Sequence, residues 1–187
     1  AGAVVLDPAP GDLRAGANAP DFDPNHCTEP DRSSYRNRAV ADTFEPGSIM
    51  KPFLVASALE TGAVGLDDVF DCEMGAYRIG RNTIHDTHPY DMLPVEEIVQ
   101  VSSNIGSAKI AQRMGAEALH GAYRRCGFGQ ASGVDLAGES GGVLRHWKSW
   151  RRSGLATHAF GQGGAVPGIP PPARPGGIAH GATRPPP

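Results

Sequence analysis

Ser48 and Lys51 stand three residues apart in Ser48-Ile-Met-Lys51. Residues three apart on a helix share a face, so the lysine amine can reach the serine hydroxyl. A serine hydroxyl is a weak nucleophile until a base takes its proton. Lysine becomes such a base when burial lowers its pKa towards neutrality. The apolar neighbours Phe53, Leu54 and Val55 predict a buried setting for it. A helix N-terminus at the serine would also put partial positive charge beside a developing oxyanion. The chemistry suggested is acyl transfer through a serine ester. A capping serine beside a surface lysine has the same spelling, so the tetrapeptide alone does not decide it.

Further along the chain lies Ser102-Ser103-Asn104, an S-x-N. Ser102 could relay a proton between Lys51 and a leaving amine. Asn104 offers a donor and an acceptor to a substrate amide. Ser103 or Asn104 could equally cap a helix that starts at Ile105. S-x-x-K, S-D-N and K-T-G together make an acyl-serine signature. The first two are present here in that order. The lysines are only Lys51, Lys109 and Lys148, and none precedes Thr-Gly. Arg152-Ser153-Gly154 is the nearest mimic of the third, but Trp147–Arg151 before it does not read as a strand.

These residues need elements to hold them. Phe44-Glu-Pro-Gly-Ser48 breaks any preceding element, and an apolar helical stretch follows it to Gly62. Pro52 is tolerated early in that helix, where N–H groups lack intrahelical partners. Pro94–Gln100 reads as a helix with proline at its start and acids in the first turn. Ile105–Met114 and Glu117–Arg125 read as two more helices, ended by Gly115 and Gly127. The S-x-N then falls in a tight loop between two helices. Residues 3–17 suggest a hairpin around Pro8–Asp12, and Asn18–Asp31 a loop. Short strands are expected near Val69–Cys72 and Tyr77–Ile79.

The 187 residues are 40% hydrophobic and 20% charged with a net charge of −3, enough to bury a core. Neither the charge nor any Lys/Arg block points to a nucleic-acid partner. No apolar run approaches the roughly 20 residues that span a bilayer. No basic-then-apolar leader opens the chain, so it carries no targeting segment of its own. Cys27, Cys72 and Cys126 show neither a C-x-x-C pair nor metal spacing. They read as three unpaired thiols, with one disulfide plus a free thiol as the alternative. His85, Asp86 and His88 lack a third ligand at helical or hairpin spacing and read as a solvated loop. No cofactor or metal is expected.

The match extends beyond motifs. Val4–Asp7, Ala17–Asn25, Arg36–Val40 and Phe44-Glu-Pro-Gly-Ser-Ile-Met-Lys-Pro-Phe53 resemble class B penicillin-binding proteins. So do Ser102–Gly106, Gly127-Phe-Gly-Gln130, Gly138–Gly141 and Phe160-Gly-Gln-Gly163. The resemblance runs from about residue 3 to 166 and is nearest to the division-associated members. It implies an α+β fold, an antiparallel sheet flanked by helices, with the active site at the sheet edge. It implies D,D-transpeptidation, with Ser48, Lys51 and Ser102 catalytic and Asn104 binding substrate. Peptidoglycan stem peptides and β-lactams are the implied ligands, and other division or cell-wall synthesis proteins the further partners. It also implies an upstream membrane anchor, with the domain on the outer face of the cytoplasmic membrane.

There are two departures. After Gly163 the family continues through Thr-Pro into an Ala/Leu-rich helix, whereas here Pro167-Gly-Ile-Pro-Pro-Pro-Ala-Arg-Pro175 stands. Each interior proline costs a helix roughly 3 kcal/mol. Residues 1–166 are therefore expected to form a partial transpeptidase domain, and 167–187 a Pro/Gly-rich degenerate tail. The second departure is the missing K-T-G strand, which the resemblance places beyond Pro187. Without its oxyanion-hole N–H the chain alone is expected to be poorly active. A serine β-lactamase or D,D-carboxypeptidase would use the same serine, and a non-catalytic divisome scaffold or β-lactam sensor would not need it.

Overall fold

Alternating apolar runs and Pro/Gly breaks give many short elements. The computed structural model describes residues 1–7, 12–26 and 32–168. In chain order it has β1 (Gly2–Leu6), β2 (Leu13–Asn18), a 3₁₀ turn (Arg32–Tyr35), α1 (Arg38–Ala41) and β3 (Thr43–Phe44). A 3₁₀ turn (Gly47–Met50) then runs directly into α2 (Lys51–Glu60). Next come β4 (Val69–Asp71), a 3₁₀ turn (Glu73–Gly75), β5 (Ala76–Ile79), β6 (Asn82–His85) and β7 (Met92–Pro94). The helices α3 (Val95–Gln100), α4 (Asn104–Met114) and α5 (Ala116–Arg125) follow. A 3₁₀ turn (Trp147–Ser149), α6 (Arg152–Ala159) and β8 (Val166–Pro167) complete the described part.

The mixture is α+β, as expected, and every ladder among the described residues is antiparallel and two-stranded: β1–β2, β3–β8, β4–β7 and β5–β6. The chain divides into two compact units. One comprises Ala1–Phe44, Cys126–Val143 and Ala165–Pro187, the other Glu45–Arg125 and Leu144–Gly164.

In the first unit the expected hairpin is β1–β2, pairing Gly2 with Asn18 through Val5 with Ala15, with a one-residue register shift before Leu6 pairs with Leu13. Asn18 ties it to α1. Its side chain donates to Asn37 Oδ1 at 3.0 Å and accepts the Ala39 N–H at 3.1 Å. Ala39 and Val40 of α1 are buried. Pro167 pairs with Thr43 in the β3–β8 ladder rather than opening a tail. The rest of the expected tail, residues 169–187, lies outside the described residues, as do parts of the loops at 8–11 and 27–31.

The second unit is a helical cluster with two short hairpin-like ladders. Leu54, Ala58, Val95, Ile98, Ile105, Ala108, Ile110, Ala111 and Leu119 are all fully buried. Helix α4 packs against α2, α3, α5 and α6. Its small residues permit this, and a Cβ on Gly106 would come 2.6 Å from the Ile98 side chain. The expected helix that follows Ser48 and ends at Gly62 is α2, and those at 94–100, 105–114 and 117–125 are α3 to α5, displaced by a residue or two at their ends. Helix α6 was not expected. Arg152-Ser153-Gly154 forms its first turn and so is no strand-borne motif.

Leu119→Ala should lower the free energy of urea unfolding by about 2–5 kcal/mol, the usual cost of truncating a buried leucine. Leu66→Ala, at a side chain 62% exposed, should stay within about 0.5 kcal/mol.

Candidate active site

Every sequence-predicted site residue lies in the second unit. Ser48 sits on the 3₁₀ turn that leads into α2. Side chains three apart eclipse one another in 3₁₀ geometry, which turns Ser48 and Lys51 to one side. The preceding turn is fixed from far along the chain. Gly47 has φ 61° and donates its N–H to the Gly161 carbonyl at 3.1 Å. Gly161 has φ 79°, and a Cβ there would collide with the Gly47 backbone. Gly163 N–H donates to Glu45 Oε1 at 3.1 Å. The Phe160–Gly163 segment thus clamps the Glu45–Ser48 turn. Ser48 itself is exposed, and its hydroxyl has no hydrogen bond among the described residues.

Lys51 is the opposite case, only 1% exposed. Its Nζ donates to Ser102 O at 2.5 Å, Ser102 Oγ at 2.9 Å and Asn104 Oδ1 at 2.8 Å. An ammonium has three donors, and all three are satisfied. Burial pushes its pKa down to about 8, while the nearby Asp86 carboxylate acts in the other direction. A pKa near 8 leaves about a tenth of the amines neutral at pH 7.

The S-x-N loop is built by joining two helix ends. At the end of α3, Ser102 N–H donates to Val99 O at 3.2 Å and Ser103 N–H to Ile98 O at 3.0 Å. These are the paired bonds of a Schellman close, whose left-handed residue is usually glycine. Here it is Ser102, with φ 58°. A non-glycine residue held there costs on the order of 1–3 kcal/mol. The next residue, Ser103, is buried and caps α4, its Oγ accepting from Gly106 N at 2.9 Å. The capping reading of Ser103 is correct, and it is compatible with the flanking Ser102 and Asn104 facing Lys51.

Asp86 was missed. Read as part of a solvated loop, it instead locks the S-x-N. Its carboxylate accepts from Ser103 Oγ at 2.6 Å, Asn104 N at 2.5 Å and Ile105 N at 3.1 Å. A carboxylate on the first N–H groups of α4 is also favoured by the helix dipole. The neighbouring His85 carbonyl accepts from Asn104 Nδ2 at 2.9 Å. The Asn104 amide is thereby oriented, nitrogen to His85 and oxygen to Lys51. Nothing in the local sequence around Asp86 signals this, because its partners are brought up by the fold. Cys72 is a buried free thiol 3.5 Å from Ser103 Oγ, and burial raises its pKa.

The arrangement places an exposed hydroxyl on the same side of a helix as a desolvated amine, and ties that amine to a hydroxyl and an amide oxygen. A desolvated amine of lowered pKa is suited to accept a proton when neutral.

Residues 1–169 match the family described as "Penicillin binding protein transpeptidase domain". The chain is 42% identical over 160 residues to the "Probable peptidoglycan D,D-transpeptidase PenA" of Neisseria gonorrhoeae, covering 86% of this chain and 27% of the relative. It is 37% identical over 161 residues to "Peptidoglycan D,D-transpeptidase FtsI" of Escherichia coli K12, again 86% and 27%. The solved apo transpeptidase domain of Burkholderia pseudomallei penicillin-binding protein 3 superposes with a TM-score of 0.82 at 36% identity. That match covers 96% of this chain and 50% of the solved one. The chain therefore spans about a quarter of the curated relatives.

Following the Lys51 Cε resonance in a ¹³C-lysine sample should give a titration midpoint near 8. In Asp86→Asn the midpoint should fall further, because the opposing carboxylate charge is gone. A wild-type midpoint above 10 would contradict the buried setting.

Proposed function

The chain belongs to the penicillin binding protein transpeptidase domain family, and we propose that it supplies the acylating centre of a peptidoglycan D,D-transpeptidase. The observation that carries this reading is the Lys51 amine, buried and bound to Ser102 and Asn104 one helical turn from an exposed Ser48. Neutral Lys51 takes the Ser48 proton as Oγ attacks the penultimate D-Ala carbonyl of a stem peptide. The positive end of the turn and α2 faces the oxyanion that forms. Lys51, now protonated, returns the proton through Ser102 Oγ to the nitrogen of the departing D-Ala, and the C–N bond breaks. An amine of a neighbouring peptide then attacks the ester, passing a proton through Ser102 and Lys51 to Ser48 Oγ as the C–O bond breaks, and the cross-link is complete. Asn104 binds the peptide amide. A β-lactam acylates the same serine but keeps its leaving amine tethered in the opened ring.

The substrate class is peptidoglycan stem peptide, and β-lactams are inhibitors. Other division or cell-wall synthesis proteins are the further partners. We place the protein on the outer face of the bacterial cytoplasmic membrane. No helix among the described residues is long and apolar enough to cross a membrane.

No lysine of this chain precedes Thr-Gly. A site short of one oxyanion donor loses about 10²–10³ in rate. Incubated with a fluorescent penicillin, the chain should label at Ser48 about 10²–10³ more slowly than a complete transpeptidase domain. Labelling at an undiminished rate would refute the role given to the missing motif, and labelling that survives Ser48→Ala would refute the nucleophile.

The labelling rate should also follow the neutral fraction of Lys51. Below its pKa the amine holds its proton and has no lone pair to offer. With a pKa of about 8, the rate should rise about tenfold from pH 7 to pH 9 and then level off. Mass spectrometry of the intact adduct across that range measures it.

A further inference from the structure

Asn104 has a second environment. Beside it, between β6 and the end of α6, lies a cleft of about 570 Å³, within the range of ligand sites. Arg81, His85, Asn104, Thr157, Phe160 and Gln162 are among the residues that line it. Arg81 is the one formal charge in that lining, and no carboxylate is part of it. The side chain is exposed, and no ion pair or hydrogen bond engages it among the described residues. By contrast, Arg14, Arg36, Arg38, Arg113 and Arg125 each face a carboxylate. Asp86, the next acid along the sequence, is already bound to Ser103 and the first N–H groups of α4.

The backbone under Arg81 is well defined. Ile79 pairs with Asn82, so Gly80 and Arg81 form a two-residue turn, with Gly80 at φ 63°. Glycine in the first position and a positive φ there mark a tight hairpin of fixed register. The other groups suit a peptide. Thr157 Oγ1 donates to Gly154 O at 3.0 Å, leaving its lone pairs to accept. Gln162 presents an exposed amide, and the buried Phe160 ring gives an apolar surface. A guanidinium without a partner, in a cleft with amides and a hydroxyl, matches a carboxylate bound in a two-pronged way.

We propose that this cleft is a subsite for the acyl-donor stem peptide, in which Arg81 binds a carboxylate carried on the peptide ahead of its D-Ala-D-Ala end. The proposal rests on the transpeptidase reading, because Asn104 joins the cleft to the Lys51 centre. Two carboxylates could serve: the free α-carboxylate of a γ-linked D-Glu, or that of a diaminopimelate side chain.

The probe is the pentapeptide acetyl-L-Ala-γ-D-Glu-meso-diaminopimelate-D-Ala-D-Ala, with each of those two carboxylates converted in turn to the amide. Binding to the ¹⁵N-labelled chain is followed by amide shifts at Asn104 and Thr157. Amidating the carboxylate that meets Arg81 should weaken binding about tenfold, and amidating the other should change little. Arg81→Gln should remove the difference, and Arg81→Lys should restore part of it. Equal affinity of all three peptides for the wild type, no binding of any, or discrimination that persists in Arg81→Gln would overturn the subsite. Fluorescent penicillin separates the two readings. No Ser48 labelling even over the lengthened incubation that the slowed rate requires sinks the transpeptidase reading, while the acid-to-amide ratio reports on the cleft alone.

Discussion

A cation with 1% of its surface exposed must be answered by oxygen atoms, and that requirement organises the second unit. Taking an ammonium out of water without partners is costly. Lys51 is answered by a carbonyl, a hydroxyl and an amide oxygen, all neutral. A carboxylate in direct contact would have held the proton firmly and raised the pKa. Neutral acceptors satisfy the geometry but leave desolvation as the larger influence, so the pKa falls. Asp86 is kept one layer back, close enough to temper that fall and oriented by the α4 N-terminus rather than by the lysine.

Those oxygens have to be delivered to one point from a loop of three residues. The end of α3 and the start of α4 share Ser102-Ser103-Asn104 with no spacer. Ser102 takes the left-handed conformation that closes α3, which swings both its carbonyl and its hydroxyl towards Lys51. Ser103 turns the other way and caps α4. A glycine at 102 would relieve the backbone but forfeit one of the three acceptors. The strain and the capping bonds are therefore two sides of one local solution.

Much of this was legible from residue order. The S-x-x-K spacing located the α2 start, and Pro52 and Gly62 bounded it. The S-x-N fell between two periodic segments, so both its loop character and the Ser103 cap could be read. Asp86 could not, because its role depends on the β6 end being carried to the α4 N-terminus. A lone acid between two histidines looks like solvent-facing loop in any local window. Helix α6 was missed for a related reason. Its sequence, Arg152–Ala159, has Gly154 inside it and no clear apolar stripe, and it is held by packing against α4 rather than by propensity. The α+β class and antiparallel pairing were readable. The division of the sheet into separate two-stranded ladders was not, because strand partners such as β3 and β8 are distant in sequence.

The backbone contact between Gly47 and Gly161 has a consequence for how the molecule comes together. Helix α2 can form from its own neighbours, and α3 and α4 lie close behind it in the chain. The turn bearing Ser48 waits for a segment that arrives late, after the chain has passed through α5 and returned. Loop closure over such a separation is slow compared with local helix formation. An unfinished chain can thus hold its early helices before the turn that carries Ser48 is tied down, so the position of that residue is settled late rather than early.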